Sequence, residues 1–142
     1  MNTLRQLLQS KGSVVYSVTP ETSVFDALKL MAEKNIGALL AMADGRIAGI
    51  MTERDYARKV ILYGKSSRDM PVREIMSEKV LTVHPGLTVE ECMALMTNKR
   101  IRHLPVMDGD KLIGLLSIGD LVKEVIADKE QTIRQLENYI HS

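Results

Sequence analysis

The 142-residue chain has no tryptophan, one phenylalanine, one cysteine and four prolines. So few rings to stack bases, together with a formal net charge of +1 that gathers no positive field, disfavour nucleic acid as a partner. The lone Cys92 excludes an intramolecular disulfide. Its place in the series Val89, Cys92, Met93, Leu95, Met96 reads as a buried helix position. The longest apolar run, Ile36 to Ala43, falls far short of the roughly 20 residues that cross a bilayer. The N-terminal "MNTLRQLLQS" lacks the charged head, apolar run and small-residue cleavage site of a secretory leader. The expectation is therefore a cytoplasmic protein with no membrane partner. Three histidines and one cysteine form no metal-ligand spacing, and no "GxxxxGK[ST]" phosphate loop occurs. Nothing assembles a nucleophile with a base, so no enzyme, no catalytic residue and no metal site are expected.

What the chain does have is a repeat. Shifted on itself by 65 residues, Val15 to Ile61 aligns with Val80 to Ile126 without a gap. Identical pairs include Val18 with Val83, Pro20 with Pro85, Val24 with Val89, Leu30 with Leu95, Met31 with Met96, Ile36 with Ile101, Leu39 with Leu104, Gly49 with Gly114 and Asp55 with Asp120.

Each copy reads in the same order. A β-rich stub, Val14 to Val18 or Val80 to Val83, stops at Thr19-Pro20 or His84-Pro85, where the proline ring removes a ladder donor. A helix follows, signed by a Thr88 to Glu91 capping box in the second copy and by Ser23 with Asp26 in the first. Its apolar residues recur at helical spacing, Val24, Ala27, Leu28, Met31 or Val89, Cys92, Met93, Met96, and it ends at Asn35 or Lys99-Arg100. A strand over Ala38 to Ala43 or Leu104 to Met107 meets a turn signal, Asp44-Gly45 or Asp108-Gly109. A second strand spans Arg46 to Met51 or Lys111 to Leu116. The last helix begins at Thr52 or Ser117 and carries Tyr56, Val60, Ile61 or Leu121, Val122, Val125, Ile126.

The expected fold class is α+β, two β-α-β-β-α motifs with extra N- and C-terminal helices. A motif of this size is marginal alone, which two motifs packed face to face would remedy. The expected organisation is an N-terminal helix over 1–13, a first motif over 14–63, a polar linker with a short helix over 64–79, a second motif over 80–127 and a helical extension over 128–142. On that extension Val122, Lys129, Leu136 and Ile126, Ile133, Ile140 fall at heptad spacing. The stripe needs a partner, either its own domain or a second copy.

The repeat also doubles "GIMTERDY" (Gly49 to Tyr56) as "GLLSIGDL" (Gly114 to Leu121). Thr52 with Asp55 and Ser117 with Asp120 suit a helix N-cap, which needs no ligand. They also suit a nucleotide, since a hydroxyl with free N–H groups at a helix start fits phosphate oxygens, and a fixed carboxylate accepts from a ribose diol. Gly49 and Gly114, without a Cβ, permit close backbone approach.

The joint pattern "V-x-P … I-x-x-L … D-G … G-x-x-[ST]-x-x-D" resembles a tandem pair of cystathionine β-synthase-type (CBS) domains. The segments "TERDYARKV", "VREIM", "RIRHLPVMD" and "LIGLLSIGDLVK" are similar to bacterial stand-alone members. The resemblance covers about residues 3 to 127. It implies a pseudo-twofold module with two clefts for adenine nucleotides, AMP or NAD favoured, with ADP, ATP or S-adenosylmethionine as alternatives, and further pairing into a homodimer. It assigns Asp55 and Asp120 to ribose hydroxyls, and Thr52 and Ser117 to ribose and phosphate. It sets Ile36, Gly37 and Ala38, or Ile101, Arg102 and His103, beside the adenine.

The two copies are not equal. Arg54 stands where the second has Gly119, and Arg102-His103 where the first has Gly37-Ala38. In such families basic residues at these positions reach phosphates. The function expected is a nucleotide-binding regulatory or sensor module acting on a protein effector in trans. The alternative is a self-association scaffold whose Thr/Ser and Asp only cap helices.

Overall fold

The structure is a computed structural model, and it describes residues 2–141. The chain forms two compact bodies, Tyr16–Val80 and the described part of Met1–Val15 with Leu81–Ser142.

In Tyr16–Val80, β1 (Ser17–Val18) lies parallel to β2 (Ala38–Ala43), and β2 pairs antiparallel with β3 (Arg46–Thr52), giving the order β1-β2-β3. α2 (Val24–Lys34) starts at Ser23, whose hydroxyl accepts from Asp26 N, and ends at Asn35 in the left-handed region. Its buried Val24, Ala27 and Met31 pack in one core with Leu39, Ala41 and Met51 of the sheet. The Asp44-Gly45 turn has positive φ at both residues, which matches the right-handed twist of the strands it joins. α3 (Glu53–Tyr56) makes a single turn before widening into a π-helix over Ala57–Ile61, where Leu62 N donates to the Ala57 carbonyl. The wider turn moves the apolar face on by one residue. Val60 is buried as expected, but Ile61, expected beside it, is 55% exposed.

The second body repeats this plan with α4 (Val89–Lys99), β4 (His103–Asp108), β5 (Lys111–Ser117) and α5 (Ile118–His141). Thr88 and Glu91 make the full capping box, and Arg100 closes α4 in the left-handed region. Cys92 is buried on α4, and desolvation pushes its thiol up to about 11. Two expectations need correction. The strand over Val80 to Val83 shrinks to one bridge, Val83 with Val106, because Pro105 stands where Leu40 does and lacks the N–H that would continue the ladder towards Leu81. The hairpin turn falls at Gly109-Asp110 rather than Asp108-Gly109. Asp108 pairs with Lys111 as the last rung, and only Gly109 has positive φ there.

One equivalence escapes the ungapped alignment. α1 (Leu4–Lys11), capped by a Thr3–Gln6 box, covers the second sheet just as the segment through the 3-10 turn Val72–Glu74 covers the first. Val89 N donates to the Asn2 carbonyl, Leu4 N to Leu87 and Arg5 N to Pro85; in the first body Val24 N donates to Met70, Val72 N to Thr22 and Arg73 N to Pro20. "NTLRQLL" and "MPVREIM" are thus the same cover segment at a 68-residue offset. Three extra residues between cover and motif in the first copy hide it from a 65-residue shift. The two covers come from opposite ends of their motifs: the first motif is covered by the segment on its C-terminal side, the second by the chain's own start.

The covers also change the meaning of the paired glycines, whose close approach is to a cover. A Cβ on Gly49 would lie 2.7 Å from Met76 Sδ and 2.9 Å from the Ser77 carbonyl oxygen, and one on Gly114 would lie 2.5 Å from Leu8 Cδ2.

Candidate functional site

Each motif builds the same small constellation where its hairpin ends. In Tyr16–Val80 the register sets Ala38 opposite Thr52, and Glu53 N donates to the Gly37 carbonyl at 3.1 Å. The segment Ile36, Gly37, Ala38 is thereby held against the start of α3. In the second body His103 lies opposite Ser117, and Ile118 N donates to the Arg102 carbonyl at 2.8 Å, fixing Ile101, Arg102 and His103 against the start of α5. Nearly all the residues singled out from sequence therefore meet within their own copy. Arg54 and Arg102 are exposed, whereas His103 is half-buried.

Both acids cap their helices. Asp55 Oδ2 accepts from Thr52 N at 2.9 Å and from the Thr52 hydroxyl at 3.1 Å, and Asp55 N donates back to Thr52 Oγ1 at 3.1 Å. Asp120 Oδ2 accepts from Ser117 N at 2.8 Å, and Asp120 N donates to Ser117 Oγ at 3.2 Å. An ionised carboxylate has about four acceptor positions, so these bonds orient each acid without exhausting it.

Sequence reasoning overlooked that each acid also meets a lysine tied to the cover segment. In the first body Lys59, one turn along from Asp55, lies 3.4 Å from its Oδ1 and donates to the Ile75 carbonyl of the cover at 2.8 Å. In the second the lysine sits on the cover itself. Lys11 of α1 donates to Asp120 Oδ2 at 2.7 Å and to the Leu115 carbonyl at 2.9 Å. Leu115 corresponds to Ile50, which exchanges backbone hydrogen bonds with Ser77 in the first body. The same acid-to-cover link is thus made from opposite sides. Lys59 was legible as an i, i+4 partner, but Lys11 lies 109 positions from Asp120 and gives no local signal.

The charges around the second acid act on each other. Burial opposes ionisation of Asp120, but the Lys11 ammonium and the Ser117 bonds outweigh it and hold the carboxyl below its ordinary value. Burial pulls the His103 ring down, Asp120 pulls it up, and Lys11 and Arg102 add to the lowering, so the net shift favours the neutral ring. Such a ring, beside the exposed Arg102, can take up a proton when an anion approaches.

Among the described residues no group of three or more His, Cys, Asp or Glu is placed to hold a metal, and no helix is long and apolar enough to cross a membrane.

Comparison with known proteins shows the same division. The family model described as "CBS domain" matches residues 12–61 and again 72–127. The CBS domain-containing protein CBSX3, mitochondrial, of Arabidopsis thaliana is 41% identical over 97% of this chain and 71% of its own. A solved protein with CBS domains from Burkholderia ambifaria MC40-6 is 58% identical, with a TM-score of 0.86 over 89% of this chain and 96% of its own. The CBS domain pair of MJ0100, solved with 5'-methylthioadenosine and S-adenosyl-L-methionine, shares the fold at 23% identity, with a TM-score of 0.78 over 91% of this chain and 98% of its own.

Proposed function

Given that the chain belongs to the CBS-domain family, with two such domains, we propose that it is a regulatory module whose capped helix starts each receive the ribose of an adenine nucleotide. The observation that carries this reading is the doubling of one arrangement. In both bodies a backbone hydrogen bond fixes the segment before the second strand against a helix start that holds an oriented carboxylate.

In this reading Asp55 and Asp120 accept from the ribose diol, and Thr52 and Ser117 lie at ribose and phosphate. Ile36, Gly37, Ala38 and Ile101, Arg102, His103 flank the base. Arg54 near the first acid, and Arg102 with His103 near the second, bind phosphates differently. The adenosyl group shared by both ligands of MJ0100 supports the ligand class. Among members of that class AMP and NAD are favoured over ADP, ATP and S-adenosylmethionine. The module is not an enzyme. It works in the cytoplasm as a homodimer, and its bound state is read by a protein effector in trans.

Titration calorimetry of the intact chain with AMP, NAD, ATP and S-adenosylmethionine tests the proposal. At 100-fold excess over Kd a ligand specific for the folded state adds about 2.7 kcal/mol of stability, readable as a thermal shift. Asp55→Asn and Asp120→Asn are expected each to remove one class of site while the fold persists. A second reading has its own support: every hydroxyl and acid of the two motifs already serves a helix cap. If no nucleotide shifts the melting curve and the variants behave alike, the motifs are caps and the chain is a scaffold.

A further inference from the structure

α5 runs 24 residues, and every residue from Ile126 to His141 is exposed. In proteins most helical stability comes from packing an apolar face, and this stretch buries none of its side chains. Along one side Ile126, Ile133, Leu136 and Ile140 are 52%, 54%, 58% and 74% exposed, and the stripe is interrupted once, at Lys129. We propose that α5 is covered by α5 of a second copy of this chain, packed antiparallel with its dyad near Gln131.

The pattern complements itself when reversed about that point. Ile126 then meets Leu136 of the partner subunit, Val122 meets Ile140 of the partner subunit, and Lys129 meets Ile133 of the partner subunit. At the flank Lys123 lies beside Glu137 of the partner subunit, twice by symmetry. The two Glu130 carboxylates approach near the dyad, each with Lys129 of the partner subunit at hand. A parallel pair in register would instead stack Lys129 on its own copy in one core layer and set Val125 and Thr132 against Glu130 and Glu137, with no opposite charges joined. A single polar residue in an apolar seam selects orientation in this way, at some cost in stability. The inference is independent of any nucleotide.

Sedimentation and oxidative cross-linking of the full chain test it. Cys92 is buried, so introduced thiols report without background. The double variant Ile126→Cys/Leu136→Cys is expected to form a covalent dimer, whereas Ile126→Cys alone, with its two copies far apart in the antiparallel pair, is not. Adding Ile133→Asp/Ile140→Asp, at exposed positions, is expected to abolish the double variant's cross-link while α1 to β5 keep their fold. Efficient cross-linking by Ile126→Cys alone means a parallel pair and overturns the proposal. A wild-type chain that sediments as a monomer also overturns it, leaving the stripe to another protein or to its own chain.

Discussion

The paired glycines give the sharpest test of the cover segments. In Gly49→Ala the new Cβ meets Met76 Sδ at 2.7 Å and the Ser77 carbonyl oxygen at 2.9 Å. The sulfur can swing away. The carbonyl cannot, because it accepts from Ile50 N at 3.0 Å while Ser77 N donates back to Ile50 at 2.9 Å. Overpacking costs about 1–3 kcal/mol and each weakened backbone bond about 0.5–1.5 kcal/mol, so a loss of about 2–4 kcal/mol is expected. In Gly114→Ala the obstacles are the Leu8 methyls, at 2.5 and 2.9 Å. A side chain gives way more easily than backbone, so about 1–3 kcal/mol is expected. Leu8→Ala should relieve that clash. In urea denaturation Gly114→Ala is expected to cost at least about 1 kcal/mol less in the Leu8→Ala background than alone, contacting residues being the ones that fail to add. Strict additivity, or a Gly49→Ala milder than Gly114→Ala, would refute the account of what these glycines accommodate.

The remaining predictions concern the charges at the second acid. The Asp120 carboxyl is depressed, so its stabilisation is full above the unfolded pKa and fades as pH falls through the folded one. Lys11→Met should therefore lower stability at neutral pH, by less than about 1 kcal/mol for so solvated a pair, and the gap from wild type should close in acid; a gap unchanged at pH 2 would sink the assignment. The His103 ring is held below its ordinary value, so the unfolded chain binds the extra proton first and stability should drop as pH falls through the histidine range. His103→Gln should flatten that slope, and an identical slope in the variant would show that another group governs it.

Much of the architecture was legible because each copy carries its own punctuation. Thr88 with Glu91, Asn35 and the Asp44-Gly45 pair fix element ends through local backbone chemistry, and local chemistry is what a sequence displays. The misread stub at Val80 to Val83 turned on a donor missing from a different strand, at Pro105. The apolar face after Tyr56 was misplaced because a π turn changes the period on which the reading depended. At the candidate site the hydroxyls and acids were visible because they are three residues apart. Lys11 and the covers were not, because their partners lie about 80 to 109 residues away or behind a three-residue offset.

The crossed placement of the covers has a consequence in time. On the ribosome Leu4, Leu7 and Leu8 emerge well before the sheet they belong to, which ends at Ser117, a wait on the order of ten seconds at ordinary elongation rates. The first motif's sheet is complete by Thr52, before its own cover, Met70 to Ser77, has been made. During that interval the nascent chain holds one open face and one ready segment of matching pattern, and they are not each other's native partners.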